Sequence, residues 1–257
     1  MGSAHVADPV APVRDAGDID LGIDTAADDA SLALLRGDEV VAQCAWHVDS
    51  TMSKELLAHL DALLVEAGVM RQQIASIAVT NGPGTYGAVR TGLATAQGLA
   101  LALDVPLAGI GRFEADALLH LAPGRVVVAT HDTGRAGIAW AAYTQDAPGE
   151  APRCLVAPDI ATAEDVVRLA PSPATWCGET NEALRSALQA ARDSARRSGD
   201  TDAHNSEDGS PAGGRAAALV RIARARQAYG DPALVDAFYL RPPSITRAGT
   251  RAKPHEA

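Results

Sequence analysis

The 257-residue sequence is poor in aromatic side chains, with two Phe, three Trp and four Tyr, and it holds three cysteines. Cys44, Cys154 and Cys177 are scattered, odd in number and never spaced as Cys-x-x-Cys, so neither a disulfide framework nor a zinc knuckle is supported. Long hydrophobic runs are missing too. The longest uncharged stretch that reads as helix, Thr91 to Leu103, is about 13 residues and carries Thr91, Thr95 and Gln97, too short and too polar to span a bilayer. The opening Met1-Gly2-Ser3-Ala4-His5 has no basic region followed by an apolar one, so the expected location is cytoplasmic. Positive charge is in deficit, 22 Lys plus Arg against 32 Asp plus Glu, a formal charge of −10. A protein that grips a phosphate backbone alone usually shows the opposite balance. The deficit is front-loaded: residues 1–39 hold nine acids against Arg14 and Arg36, whereas residues 192–257 hold 11 bases against eight acids.

What is present is a globular composition, 47% apolar and 21% charged, in a length that suits one large or two small domains. Residues 1–18, without a period, read as a mobile extension. Ile19 to Asp24, Ser31 to Leu35 and Val40 to Trp46 form a meander of short apolar runs separated by turn residues. The period then changes. Leu56, Leu60, Leu63, Leu64 and Ala67 share one face of a helix that Gly68 closes. Ile74 to Val79 reads as a buried strand, Asn81 to Gly87 as a Gly-rich loop, Val89 to Leu103 as a small-residue helix and Pro106 to Ile110 as a strand, completing a first lobe over 19–110. A second lobe over 111–240 reads as a helix from Arg112, strands at Arg125 to Thr130, Ile138 to Tyr143 and Arg153 to Ala157, a helix capped by Thr162-x-x-Asp165, a strand near Trp176 and a helix from Asn181. Residues 193–214, rich in Ser, Gly, Asp and Asn, read as a flexible insertion, a last helix covers about Arg215 to Tyr229, and 241–257 form a basic tail.

Two places echo each other. Leu21-Gly22-Ile23-Asp24-Thr25-Ala26 and Val128-Ala129-Thr130-His131-Asp132-Thr133-Gly134 both carry a strand to Asp-Thr and a small residue. A duplicated unit of antiparallel strands and crossover helices points to the actin-like/Hsp70-like ATPase architecture, an α/β fold of two lobes, each a mixed sheet flanked by helices. In that architecture Asp24 and Asp132 are expected at the cleft near phosphate; each equally suits the cap of a turn. Gly82-Pro83-Gly84-Thr85-Tyr86-Gly87 satisfies G-x-G-x-x-G between a strand and a helix, but the three strands and helix before it do not fit a dinucleotide fold, and no Gly-Lys-Ser/Thr follows. Gly82, Gly84, Thr85 and Arg90, with Asp24, Thr25 and Asp132, make a candidate nucleotide or anion site, because a Gly-rich turn lets backbone N–H groups approach an anion at a helix N-terminus. A tight turn needed only for packing is the alternative. No His-x-x-x-His and no nucleophile signature occurs, so no catalytic or metal site is assigned.

These motifs together resemble the TsaB (YeaZ) family. Gly22-Ile23-Asp24-Thr25-Ala26 is similar to its opening A-I-D-T-S, Ser53 to Gly68 to its helix ending L-L-x-x-A-G, Gly82-Pro83-Gly84-Thr85-Tyr86 with Val89-Arg90-Thr91-Gly92 to G-P-G-S-F-T-G-L-R-I-G, and Tyr239-Leu240-Arg241 to its Y-L-R. Met52, Gly87 and Ala88 depart from the pattern. The resemblance implies a non-catalytic subunit that pairs with a catalytic TsaD-type paralogue, and with a TsaE-type ATPase, for threonylcarbamoyl transfer to tRNA, which it meets through the complex. It implies further a heterodimer surface on the first-lobe helices, for which Leu56, Leu57, Leu60, Leu63, Leu64, Thr91, Thr95 and Leu99 are the candidates, and which can self-pair into a homodimer. No cofactor is required by the chain itself; ATP or ADP at the complex interface is compatible with it. The competing reading is a nucleotide-binding phosphotransferase or ATPase of the same fold. A direct tRNA contact, if there is one, is expected at the basic end, Arg241, Arg247, Arg251 and Lys253, with Arg221, Arg224 and Arg226.

Overall fold

Strand β1 (Ile19–Asp24) is apolar on one face and carries Asp20, Gly22 and Asp24 on the other, yet all six of its residues are buried. A strand of that composition needs a cover on both sides, and one of the two must bring positive charge. The computed structural model, which describes residues 18–48, 52–198, 205–206 and 214–241, shows how this is met. From β1 the chain runs through β2 (Asp29–Arg36), β3 (Glu39–His47), α1 (Met52–Ala67), β4 (Ile74–Gly82), α2 (Tyr86–Leu103) and β5 (Leu107–Gly111). It continues through α3 (Arg112–Leu118), β6 (Val126–Asp132), β7 (Ile138–Thr144), β8 (Arg153–Ala161), α4 (Ala163–Leu169), β9 (Thr175–Gly178), α5 (Glu182–Ser198) and β10 (Asn205–Ser206) to α6 (Gly214–Arg226).

The strands form two five-stranded sheets in the orders β3-β2-β1-β4-β5 and β8-β7-β6-β9-β10. In each, the first three strands are antiparallel neighbours and the last two add in parallel. The duplication is therefore real, with Asp24 and Asp132 ending equivalent strands, and the two lobes have the actin-like architecture. The hairpin between β2 and β3 closes through Gly37-Asp38, with Gly37 at φ +60°, a conformation that glycine supplies without strain.

On one face of the first sheet, Ile19, Leu21 and Ile23 pack with Leu56, Leu60, Leu63 and Leu64 of α1 and with Leu93, Ala96 and Ala100 of α2. The other face is covered by α6, whose Ala216 to Val220, Ile222 and Ala223 are all buried against Ala33, Leu35, Ala78 and Ala108. The approach is close: a Cβ on Gly22 would lie 2.0 Å from the Ala216 carbonyl oxygen. The acids on this face find their partners in α6, Asp24 with Arg215 and Asp20 with Arg224. Nine residues of helix rise about 13.5 Å and four of strand about 13 Å, so the two pairs are in register.

This corrects the expected boundary. The end of the chain does not complete the second lobe but returns to the first: Leu107 and Gly230 exchange both backbone hydrogen bonds at 3.0 Å, and Gln97 donates to the carbonyls of Pro232 and Val235. An alanine-rich helix face announces burial without saying against which sheet. The 193–214 segment is corrected as well. Helix α5, which buries Leu184 and Leu188, continues through Ser198, and Asn205–Ser206 pairs with β9; residues 199–204 and 207–213 lie outside the described residues. Thr162 caps α4 as expected, accepting from the Asp165 amide at 3.2 Å. The 1–18 extension, apart from Asp18, and the basic tail beyond Arg241 lie outside the described residues. No helix among the described residues is long and apolar enough to cross a membrane.

Candidate functional site

The Gly-rich loop joins β4 to α2 with its glycines pressed on the chain's own backbone. Gly82 has φ +119°, and a Cβ there would meet the Phe238 carbonyl oxygen at 2.4 Å; a Cβ on Gly84 would meet that of Ala26 at 2.4 Å. Phe238 N–H donates to the Asn81 carbonyl at 2.7 Å, so the C-terminal segment lies directly on the loop. Thr25, fully buried, donates its hydroxyl to the Ala88 carbonyl at 2.9 Å and fills the space that Gly92 leaves open, latching α2 to the end of β1. Thr85 is the exposed residue before α2 and makes no side-chain capping bond. Arg90 is turned onto aromatic rings, with its guanidinium 4.4 Å from the centre of Tyr86 and Nε donating to the Tyr239 hydroxyl at 3.0 Å.

The two strand-end acids are also committed. Asp24 is completely buried and accepts from Arg215 Nε at 2.5 Å, Thr80 Oγ1 at 2.5 Å and the Ala26 amide at 3.1 Å. Burial alone would push its carboxyl up, but the Arg215 guanidinium, with the bonds from Thr80 and Ala26, holds it below the usual carboxylate range. Asp132 caps its own turn, accepting from the Gly134 amide at 3.0 Å and from Asn181 Nδ2 at 3.1 Å. In this structure the polar groups of Asp24, Thr25 and Asp132 and the close approaches of Gly82 and Gly84 serve internal partners.

A chain of alternating charges, unannounced by any motif, runs from one lobe to the other. Beyond Asp24, Arg215 reaches Asp116 at 3.3 Å, and Asp116 lies 3.5 Å from Arg112 on the preceding turn of α3. Arg112 is 1% exposed; it donates to the Ala26 carbonyl of the first lobe at 3.0 Å and to Glu179 of the second at 2.5 Å. His131 Nδ1 stands 2.6 Å from Glu179 and 3.1 Å from Arg112. One ring nitrogen cannot serve both, and the carboxylate claims its proton. Burial opposes the Glu179 charge, but the His131 bond and the Arg112 charge outweigh it and bring the carboxyl down to about 2. Burial likewise opposes the Arg215 charge, and Asp24 and Asp116 more than restore it. Only Arg112 and Asp116, four apart on one helix, were within reach of a sequence rule; the remainder come from separate segments.

The helix surfaces sort differently from expectation. Leu56, Leu60, Leu63 and Leu64 are buried in the chain's own core, and Thr91, Thr95 and Leu99 are half-buried at the flanks of α2. Exposed on the outer sides are Leu57 (47%) and Val65 (82%) with Ala58, Asp61, Ala62 and Glu66 on α1, and Gly87, Arg90, Ala94, Gly98 and Leu101 (67%) along α2. A Cβ on Gly87 or Gly98 would meet nothing within 4 Å.

The sequence profile described as TsaD: tRNA N6-adenosine threonylcarbamoyltransferase matches residues 48–170. The chain is 37% identical over 113 residues to the tRNA N6-adenosine threonylcarbamoyltransferase of Nitratidesulfovibrio vulgaris, covering 38% of this chain and 31% of that protein. It is 33% identical over 94 residues to the tRNA threonylcarbamoyladenosine biosynthesis protein TsaB of Bacillus subtilis, covering 37% of this chain and 41% of that one. The matches therefore span between about a third and two fifths of these curated relatives' own length. Among solved structures, YeaZ from Pseudomonas aeruginosa superposes with a TM-score of 0.66 at 22% identity, covering 87% of this chain and 100% of that one. Relatives and fold together bear out the resemblance to the TsaB (YeaZ) family.

Proposed function

We propose that this chain is a non-catalytic subunit in the synthesis of threonylcarbamoyladenosine in tRNA, acting by pairing with a catalytic TsaD-type paralogue. The observation that carries the proposal is the outward face of α1 and α2. Small residues at 87, 94 and 98 and Leu101 are exposed along α2, and Leu57 and Val65 on α1, positions at which another helix pair can approach closely and bury apolar area. Two features favour scaffold over transferase. The sequence has no His-x-x-x-His, and the space between the lobes is crossed by the ion pairs of Arg112 and Arg215. ATP or ADP at the interface of the complex, and a TsaE-type ATPase as a further partner, belong to the same reading; a homodimer through the same face is its form when alone.

Co-expression with the paralogue tests it. The two chains should co-elute, and Leu101→Asp, at an exposed position, should leave the fold intact while separating them. Separate elution of the unaltered chains, with normal tRNA modification in cells depleted of this one, would overturn the proposal. The ATPase reading requires Asp24 to leave Arg215, so calorimetric titration of the isolated chain with Mg-ATP should give no binding heat.

A further inference from the structure

Nine aromatic residues serve this whole chain, and their distribution is uneven. Phe113, Tyr143, Trp140 and Trp176 are buried, whereas Tyr86, which opens α2, and Phe238, whose backbone lies on the Gly-rich loop, are each 42% exposed. The Tyr239 ring is stacked on that of Tyr86 with centroids 5.3 Å apart. Arg90 lies over the Tyr86 ring, and Arg241 reaches across to the Ala136 carbonyl at 3.5 Å, next to exposed Arg135. Arg90, Arg135 and Arg241 make no ion pair among the described residues, and Asp236 is the acid whose charge is felt at Arg90. Arg224 and Arg226, by contrast, are bound to Asp20 and Glu114, which removes them from the basic surface expected at this end of the chain. The sequence after Arg241 continues with Arg247, Arg251 and Lys253 against Glu256 alone.

We propose that the strip Arg90–Tyr86–Tyr239–Arg241 is a contact site for a single-stranded RNA loop. Unpaired bases stack on aromatic faces and their phosphates attract arginines that are not held in ion pairs, which is the combination assembled here. An apolar protein partner is better matched by the aliphatic face of α1 and α2. The inference rests on the proposed role in tRNA modification and adds where this chain itself meets the RNA.

The test uses the full chain and a fluorescent, unmodified anticodon stem-loop RNA, with a blunt duplex of the same stem for comparison, read by anisotropy across a salt series. The chain should prefer the loop. Tyr86→Ala should weaken binding roughly tenfold with little change in salt dependence. Arg90→Ala combined with Arg241→Ala should reduce the slope of log affinity against log salt by about two. Arg241→Glu alone, at an exposed position, provides a variant whose folding is not at issue and should also weaken binding. Equal affinity for loop and duplex, or unchanged loop binding in all variants, would overturn the site. Loss of pairing with the paralogue in the Tyr86 variant, with RNA binding intact, would overturn it in favour of a protein contact. Failure of the unaltered chain to pair at all, with these RNA effects present, would sink the pairing role and leave the RNA site standing.

Discussion

Arg112 shows how much one side chain can decide. Its guanidinium is buried between Asp116, Glu179 and the Ala26 carbonyl, so that two carboxylates and a backbone oxygen depend on it. Removing one member of a buried ion pair strands the others' charge, at a cost of about 3–5 kcal/mol. Arg112→Ala should therefore lower the urea midpoint severely, and Arg112→Lys should recover only part, since an ammonium cannot present a planar fork to three acceptors. The same site sets an acid limit. Glu179 titrates near 2 when folded against 4.5 in the free side chain, so its contribution to stability is present above about pH 4.5 and is lost as pH falls from there toward 2. Its side chain is about a third exposed, which screens that contribution to on the order of 1–2 kcal/mol. In acid titrations monitored by circular dichroism, Glu179→Gln should begin with lower stability at pH 7 and lose less of it between pH 4.5 and 2 than the unaltered chain.

At the scale of elements, the helices on the first sheet divide into those that need their glycines and those that do not. Gly22 is held against the Ala216 backbone, so Gly22→Ala must push α6 off the sheet and should destabilise the fold by several kcal/mol or prevent it. Gly98 stands in open space within α2, so Gly98→Ala should raise thermal stability of the isolated chain by about 0.5–1 kcal/mol through helix propensity alone. If α2 packs on a partner helix at this point, the same substitution should weaken the pairing. These elements also show what the sequence made legible. Alternation and turn residues placed β1, β2 and β3, and the leucine stripe placed α1, because the period of burial is written locally. The direction of that stripe was not. Leu56, Leu60, Leu63 and Leu64 satisfied both an inward and an outward reading, and only the sheet beneath α1 decides between them. The Gly-rich loop was recognisable as a motif, whereas its occupants, Phe238 and Ala26, come from far along the chain.

For the whole molecule, the lobes are two by topology and are tied together by α3 and its salt bridges. Trp140 and Trp176 lie in the second lobe's core and Trp46 packs on the first, so in a Trp46→Phe background tryptophan fluorescence reports the second lobe, while far-ultraviolet dichroism reports both. The two signals should change together in urea, and in Arg112→Ala they should separate as the second lobe unfolds first. Non-coincident transitions in the unaltered chain would show that the ties are too weak to couple the lobes. The duplication itself was readable from the repeated Asp-Thr turns; the return of α6 to the first lobe was not, because pairing between Asp24 and Arg215 across 191 positions leaves no local trace.

That separation has a consequence in time. Strand β1 carries two acids whose counter-ions, Arg215 and Arg224, are synthesised long after it. At about 5–20 residues per second, 191 positions take roughly 10–40 seconds, during which the first lobe lacks both its charge partners and the cover of its second face. The lobe that emerges first is therefore completed last, and a nascent chain halted before position 214 should remain bound to chaperones rather than released as a folded half.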